Sequence, residues 1–256
     1  MANPSRIAVL TCLSPHAWIM INALVEQFGP VTIFNEKRQD KWSLIRNRAK
    51  RQGVVTVLGQ IGFVTLQKFI DRRQQGRVSQ IVEKPRLNAR PNPDCEVIEI
   101  ASVNDMACRV TLAARRPDVV VVLGTRIIGR ETLKSITVPV INAHAGWNPA
   151  YRGQAGGYWA LARGDLAHAG VTIHLVDEGV DTGAILYQER FEPTPDDSFG
   201  TYFYLQAAVA GPLLVKAVED AKNGDLHPHA STMISHQYFH PTLWGYLWTA
   251  LTRGVW

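Results

Sequence analysis

Five consecutive apolar residues, Val119-Val120-Val121-Val122-Leu123, stand between Asp118 and Gly124. Successive side chains of a strand point to opposite faces, so an unbroken apolar run must be covered on both sides. Such a run marks a central parallel strand, and parallel neighbours need crossover connections, usually helices. The rest of the chain supplies them. Residues 6–12 and 31–34 read as further strands, separated by a helix over 15–28 with apolar positions at Trp18, Ile19, Ile21, Leu24, Val25 and Phe28. Strands are also expected at 96–101, 139–143, 171–176 and 184–191. Helices are expected after a capping Ser102, at 130–136, at 155–163 and over 198–223. The fold class is therefore α/β, a doubly wound, mostly parallel sheet. In such sheets ligands bind beyond the carboxyl ends of the strands, here after Leu10, Gly124 and Ile141.

Two stretches depart from that alternation. Residues 39–84 carry two basic, helix-like segments without strands and read as a helical insertion. Residues 224–256, rich in His, Trp and Tyr, read as an appendage to a catalytic domain spanning 1–223. The net charge of +5 is uneven: residues 37–90 hold fourteen Lys/Arg against three Asp/Glu, a local +11, and the remainder totals −6. A basic segment on an acidic body suits an anionic partner such as a phosphate group, nucleic acid or lipid surface, or else a solvated helical face. Within it, residues 54–66 are strongly apolar, between Arg46, Arg48, Lys50 and Arg51 on one side and Lys68, Arg72, Arg73 and Arg77 on the other. That is the pattern of an interfacial helix, and peripheral membrane contact through 39–84 is one expectation. A helical hairpin packed on the sheet is the other. Gln60, Gln67 and the glycines speak against a spanning segment, and no run of eighteen apolar residues occurs. Tyr238, Phe239, Trp244, Trp248 and Leu251 make the appendage too apolar for a free tail. It is expected to cover the body or a partner subunit in a homodimer.

Several chemistries are absent. The turn after the first strand, Thr11-Cys12-Leu13-Ser14-Pro15-His16, holds no GxGxxG, and the chain has no GxxxxGK[ST], HExxH or GxSxG. Cys12, Cys95 and Cys108 form no CxxC or zinc pattern, and an odd, low count fits a reducing cytoplasm. The start of the chain lacks the parts of a signal peptide. His227, His229, His236 and His240 have metal-like spacing, but no cysteine or carboxylate lies among them, so surface or packing roles are expected and no metal.

The stretch with chemical content begins at Ile141-Asn142-Ala143-His144. Asn142 and His144 are two apart at a strand end, so both face one side. Asp177-Glu178-Gly179-Val180-Asp181-Thr182-Gly183 joins two strands downstream and has the length to bend back over the same cleft. Amide, imidazole and carboxylate are what acyl transfer to an amine requires: a donor for the oxyanion, a base for the amine proton, and a carboxylate to orient the imidazole.

Together these residues resemble the folate-dependent formyltransferases, a family that includes glycinamide ribonucleotide transformylase, methionyl-tRNA formyltransferase and the sugar N-formyltransferases. Asn142, His144 and Pro149 match its Asn-x-His-x-x-x-x-Pro pattern. Gly164-Asp165 and Gly170-Val171-Thr172-Ile173-His174 match its glycine–aspartate turn and following strand. Asp177, Glu178, Asp181 and Gly183 match its Asp-Glu-x-x-Asp-x-Gly, and Gly124-Thr125-Arg126-Ile127-Ile128 matches its folate loop. The likeness covers roughly 96–195. It implies catalysis by Asn142, His144 and Asp181, and N10-formyltetrahydrofolate as co-substrate. The folate would be held by main-chain groups around Gly124, Thr125, Arg126, Ile127 and Ile128 and by Asp177, Glu178, Gly179 and Val180, with no metal.

The departures bear on the acceptor. The first turn has no glycine to cradle a ribonucleotide phosphate. About thirty residues follow the last long helix, fewer than the second domain of the tRNA enzyme needs. Trp42, Phe63 and Phe69 are the only aromatics of 37–90, thin for stacking on RNA bases. By elimination the chain is most similar to the sugar N-formyltransferases, which implies a nucleotide-linked amino sugar used for surface polysaccharide. A tRNA-type enzyme, a formyltetrahydrofolate hydrolase and a non-catalytic folate-binding module stay open.

Overall fold

The computed structural model describes residues 6–83 and 87–256. The chain runs β1 (Ile7–Thr11), α1 (Pro15–Phe28), β2 (Thr32–Glu36), α2 (Lys41–Gln52), α3 (Val54–Arg73), α4 (Gln75–Glu83), β3 (Glu96–Ile100), α5 (Met106–Arg115), β4 (Val119–Leu123), α6 (Arg130–Ser135) and β5 (Val140–His144). It continues through β6 (Arg152–Gly153), α7 (Gly156–Ala162), β7 (Gly170–Leu175), β8 (Ile185–Arg190), α8 (Phe199–Asn223), β9 (Gln237–Tyr238) and α9 (Leu243–Arg253). Seven strands form one sheet in the order β3-β2-β1-β4-β5-β7-β8, and β6 pairs with β9 separately.

The expected mixed α/β architecture is present. β1 and β4 lie at the centre, buried throughout, with Val9 opposite Ile33 on one side and Val121 on the other. From β3 through β2, β1 and β4 to β5 every neighbouring pair is parallel. β7 runs antiparallel to β5, and β8 antiparallel to β7. The chain leaves the carboxyl end of β5 and re-enters the sheet from that same end, so this excursion does not cross the sheet. One face of the sheet packs on α1 and α8 through Ile21, Leu24, Leu214 and Val218. The other packs on α5 and α6 through Cys108, Leu112 and Leu133. Ser102 does not cap α5. Its hydroxyl accepts from the Asn104 N–H, and the helix starts at Met106 behind Asp105.

The insertion is three helices rather than two. Asp40 caps α2 by accepting from the Ser43 N–H, and Gly53, at φ 87°, makes the corner into α3. Lys84 and Arg86 of the basic segment, and the first five residues of the chain, lie outside the described residues. α3 buries Val57, Gln60, Phe63 and Gln67 on its inner side. α9 lies against it, because Gly59 and Gly62 leave room for Trp244 and Leu243. A Cβ on Gly59 would collide with the Trp244 ring. Phe63 then meets Phe199 and Tyr246 at ring distances of 4.9 and 5.0 Å. The appendage therefore covers the body of its own chain, with Tyr246 and Ala250 buried. Its histidines are dispersed: His240 is packed by Phe63 and Phe199, while His227 is exposed beside Asp225. Among the described residues no group of three or more His, Cys, Asp or Glu is placed to hold a metal.

Candidate active site

The register of β5 against β7 sets Asn142 directly opposite His174 and His144 opposite Thr172. Cross-strand partners on one face are neighbours, so amide and imidazole meet without any loop adjustment. Asn142 Nδ2 donates to His174 Nε2 at 3.0 Å and to Asp181 Oδ1 at 3.3 Å. His174 Nδ1 is 2.7 Å from the Leu175 carbonyl and must donate there. Its Nε2, 3.6 Å from Asp181 Oδ1, accepts from Asn142 when the ring is neutral and donates to the carboxylate when it is charged.

His144 is only 7% exposed. Its Nδ1 faces Asp181 Oδ2 at 3.4 Å and its Nε2 faces the Tyr151 carbonyl at 3.0 Å. Both partners are acceptors, so an imidazolium satisfies this position in full. The loop carrying Tyr151 approaches this closely because Gly146 has no side chain. A Cβ there would strike the Tyr151 carbonyl and His144 Nε2.

The loop after β7 folds back so that Asp181 reaches the pair, with its backbone in the left-handed region at φ 51°. Aspartate tolerates that region better than most residues. Burial works to raise the Asp181 carboxyl. The charge of His144, the hydrogen bond and charge of His174, and the Gly153 N–H outweigh it and hold the group well below the usual carboxylate range. Gly153 N donates to Asp181 Oδ2 at 3.0 Å, and the Arg152 guanidinium donates to the Val180 carbonyl. Both residues belong to β6, whose partner strand β9 comes from the appendage. The appendage thus buttresses the segment that positions Asp181.

The expected residues of the second group divide. A cleft of about 1350 Å³ is lined by Asn142, His144 and Asp181 together with residues 124–128, Asp177, Gly179 and Val180. Glu178 is turned away from it and pairs with Arg130 at 2.9 Å. Arg126 is tied into the scaffold: its N–H donates to Glu36 Oε2 and its guanidinium to the Lys37 and Ala101 carbonyls. The Ile127 carbonyl already accepts from Asn104, and the Thr125 hydroxyl donates to the Arg126 carbonyl. Each carbonyl keeps a second lone pair, and the Ile128 side chain sits in the core. Asp177 Oδ1 closes its own loop by accepting from Gly179 N and Thr182 Oγ1.

The basic segment, which the sequence matched to an anionic partner without singling out residues for the site, contributes Leu44, Asn47, Arg48, Lys50 and Arg51 of α2, with Lys37 and Arg38 before it, to the cleft lining. Burial lowers the Arg48 guanidinium pKa, and no carboxylate pairs with it among the described residues. His16 and His240 also line the cleft, and burial pushes each down to about 4, with Arg48 adding to the effect on His240. His16 is stacked on Phe203 at 5.5 Å, with Nε2 3.0 Å from the Ser14 hydroxyl. The signal available was position: both lie at carboxyl-end turns or in the aromatic appendage.

Residues 42–218 match the family model described as formyl transferase. A methionyl-tRNA formyltransferase of Desulfotalea psychrophila is 32% identical over 159 residues, covering 62% of this chain and 49% of that protein. The chain thus spans about half the length of the curated relatives it matches. Among solved structures, glycinamide ribonucleotide transformylase 1 from Symbiobacterium toebii has a TM-score of 0.56 at 20% identity, over 88% of this chain and 90% of that one. An N-formyltransferase from Helicobacter canadensis, in complex with folinic acid and dTDP-3-aminofucose, has a TM-score of 0.54 at 16% identity, over 91% and 70%. At these identities the structures speak for the fold, and the family match rests on the sequence, more than half of which it covers: the chain belongs to the formyl transferase family.

Proposed function

We propose that this chain transfers a formyl group from N10-formyltetrahydrofolate to the amino group of a nucleotide-linked amino sugar, in a cytoplasmic setting. The observation that carries the reading is the cluster of Asn142, His144, His174 and Asp181 at one wall of a cleft shared with residues 124–128 and 177–180. The folate fits there by the character of the lining: Met20, Val122 and Val176 offer apolar walls for a flat ring, and the loop carbonyls offer acceptors. Bound, it supplies the formyl group.

The chain's own residues would act as follows. The long Asn142–Asp181 contact is the weaker of the two made by the amide, so one Asn142 N–H is free to turn toward a developing oxyanion. His144, charged, would add its positive charge beside that oxyanion while both its N–H groups stay on Asp181 and the Tyr151 carbonyl. Asp181 keeps its charge at neutral pH and holds His144 in orientation, and the Asp181–His174 pair offers a place for the proton released by the attacking amine.

The acceptor is the finer part of the proposal. Arg48, with Lys37, Arg38 and Arg51, lines the same cleft as the triad, which suits a diphosphate. A neighbour in fold was solved with a dTDP-linked amino sugar. The sequence relatives favour a second reading, with methionyl-tRNA as acceptor. Three free cysteines, two of them buried, suit a reducing compartment. One experiment separates these readings. The chain is incubated with N10-formyltetrahydrofolate and, in turn, nucleotide-linked amino sugars, charged initiator tRNA, or no acceptor, and products are read by mass spectrometry. A formamido sugar nucleotide is expected. Formyl-methionyl-tRNA alone, formate alone, or folate binding without turnover would overturn the acceptor reading in favour of the tRNA enzyme, a hydrolase or a binding module.

A further inference from the structure

Eleven of the nineteen exposed large apolar side chains among the described residues lie on just three helices, α2, α3 and α9. On α3 they form an outward stripe of Val54, Val55, Leu58 and Ile61, with Val55 72% exposed. On α9 they are Trp244, Leu247, Trp248 and Leu251, the last two 71% and 78% exposed. The helices are locked together through Gly59 and Gly62, and Trp244 bridges the seam, its ring over Gly59 and half in solvent. Apolar surface gathered on adjoining elements marks a docking face rather than scatter.

Charge identifies the occupant. The three helices carry nine Lys/Arg and a single carboxylate, Asp71. Arg48, Lys50 and Arg51 line the cleft, whereas Arg46, Lys68, Arg72 and Arg253 are exposed away from it. A second copy docked by the same face would bring like charge against like. RNA would take the charges but leave Val54, Val55, Leu58 and Leu251 uncovered, since bases stack on aromatic rings. An anionic bilayer surface meets both needs, and tryptophans such as Trp42, Trp244 and Trp248 favour the boundary between headgroups and chains. α3 is long and apolar enough to cross a membrane by length and composition. Its inner face is committed to the protein, however: Phe63 is packed by Phe199 and Tyr246, and Gln60 donates to Gln52 and the His240 carbonyl.

We propose that the outer faces of α3 and α9 form one platform that lies on an anionic membrane surface, α3 in the plane of the interface and not across it. This stands whichever acceptor the cleft takes.

The test is co-sedimentation of the full chain with vesicles of phosphatidylcholine alone or mixed with phosphatidylglycerol, at low and moderate salt. Transfer RNA binding and light scattering are measured in parallel. The chain should sediment with the mixed vesicles only, and salt should weaken it. Lys68→Gln with Arg72→Gln should reduce partitioning about fivefold per charge removed. Trp248→Ser with Leu251→Ser should reduce it more than tenfold, through lost apolar burial, with circular dichroism and thermal unfolding unchanged because both side chains already face solvent. Failure to bind mixed vesicles at low salt overturns the proposal. So does tRNA binding without vesicle binding, or a dimer that the Trp248→Ser, Leu251→Ser variant dissolves.

Discussion

At the carboxyl end of β5, the buried His144 and His174 and the half-buried Asn142 and Asp181 partner one another; on the outer faces of α3 and α9, large apolar side chains stand in solvent beside exposed cations. His144, His174 and Asp181 share hydrogen bonds and charge with Asn142 and the Gly153 N–H, which offsets the desolvation of the carboxylate. The exposed stripe of α3 and α9 has no such closure among the described residues. The two regions are joined through the appendage, since β9 supports β6 beneath Asp181 while α9 covers α3. Self-sufficient polar burial is the mark of chemistry prepared in advance, and unsatisfied apolar exposure is the mark of a surface made for something outside the chain.

The contrast breaks first at the triad. His144→Ala and Asp181→Ala should each lower turnover about a hundredfold or more, with little change in the urea midpoint, because cleft polar groups do not hold the core. Near-wild-type turnover would mean that the cluster is structural. Gly59→Leu should follow, costing about 1–3 kcal/mol in urea unfolding as Trp244 and α9 are displaced. An unchanged midpoint would mean that α9 is not held where it lies. Arg48→Ala sharpens the acceptor side of the cleft. KM for a diphosphate-bearing acceptor should rise about tenfold with kcat little altered, the signature of lost uniform binding.

The smallest expected effect is on stability against pH. His16 and His240 titrate at about 4 in the fold, below the ordinary imidazole value of 6.5, because burial disfavours their charge. Between those values the unfolded chain binds more protons, so stability is full above about pH 6.5 and falls toward pH 4. His16→Gln should flatten that slope in thermal unfolding series. Asp181 acts in a separate window. Its lowered pKa contributes stability that is lost only below about pH 4, as the carboxyl protonates.

The sheet was legible because Val119–Leu123 and its neighbours are apolar without interruption, and Asn142 with His144 because a strand has a period of two. His174 opposite Asn142 was not, since register depends on β7 running antiparallel, and nothing local in Gly170–Leu175 states its direction. The side-chain partners of Glu178 and Arg126 were not legible for a common reason: a charged side chain in a loop goes to whichever partner the fold brings near, here Arg130 and Glu36. Nor does the apolar pattern of α9 reveal that its inner side meets two glycines of α3, one hundred and eighty residues or so earlier in the chain.

The central claim is formyl transfer to an amine at the Asn142–His144–Asp181 cluster. Its most direct test is single-turnover mass spectrometry with N10-formyltetrahydrofolate and a panel of nucleotide-linked amino sugars, run in parallel on the wild-type chain and His144→Ala. A formamido product from the wild type, and at least a hundredfold less from the variant at saturating folate, is the predicted result. Equal product from both, or formate released by both with no formamide from any acceptor, would contradict it.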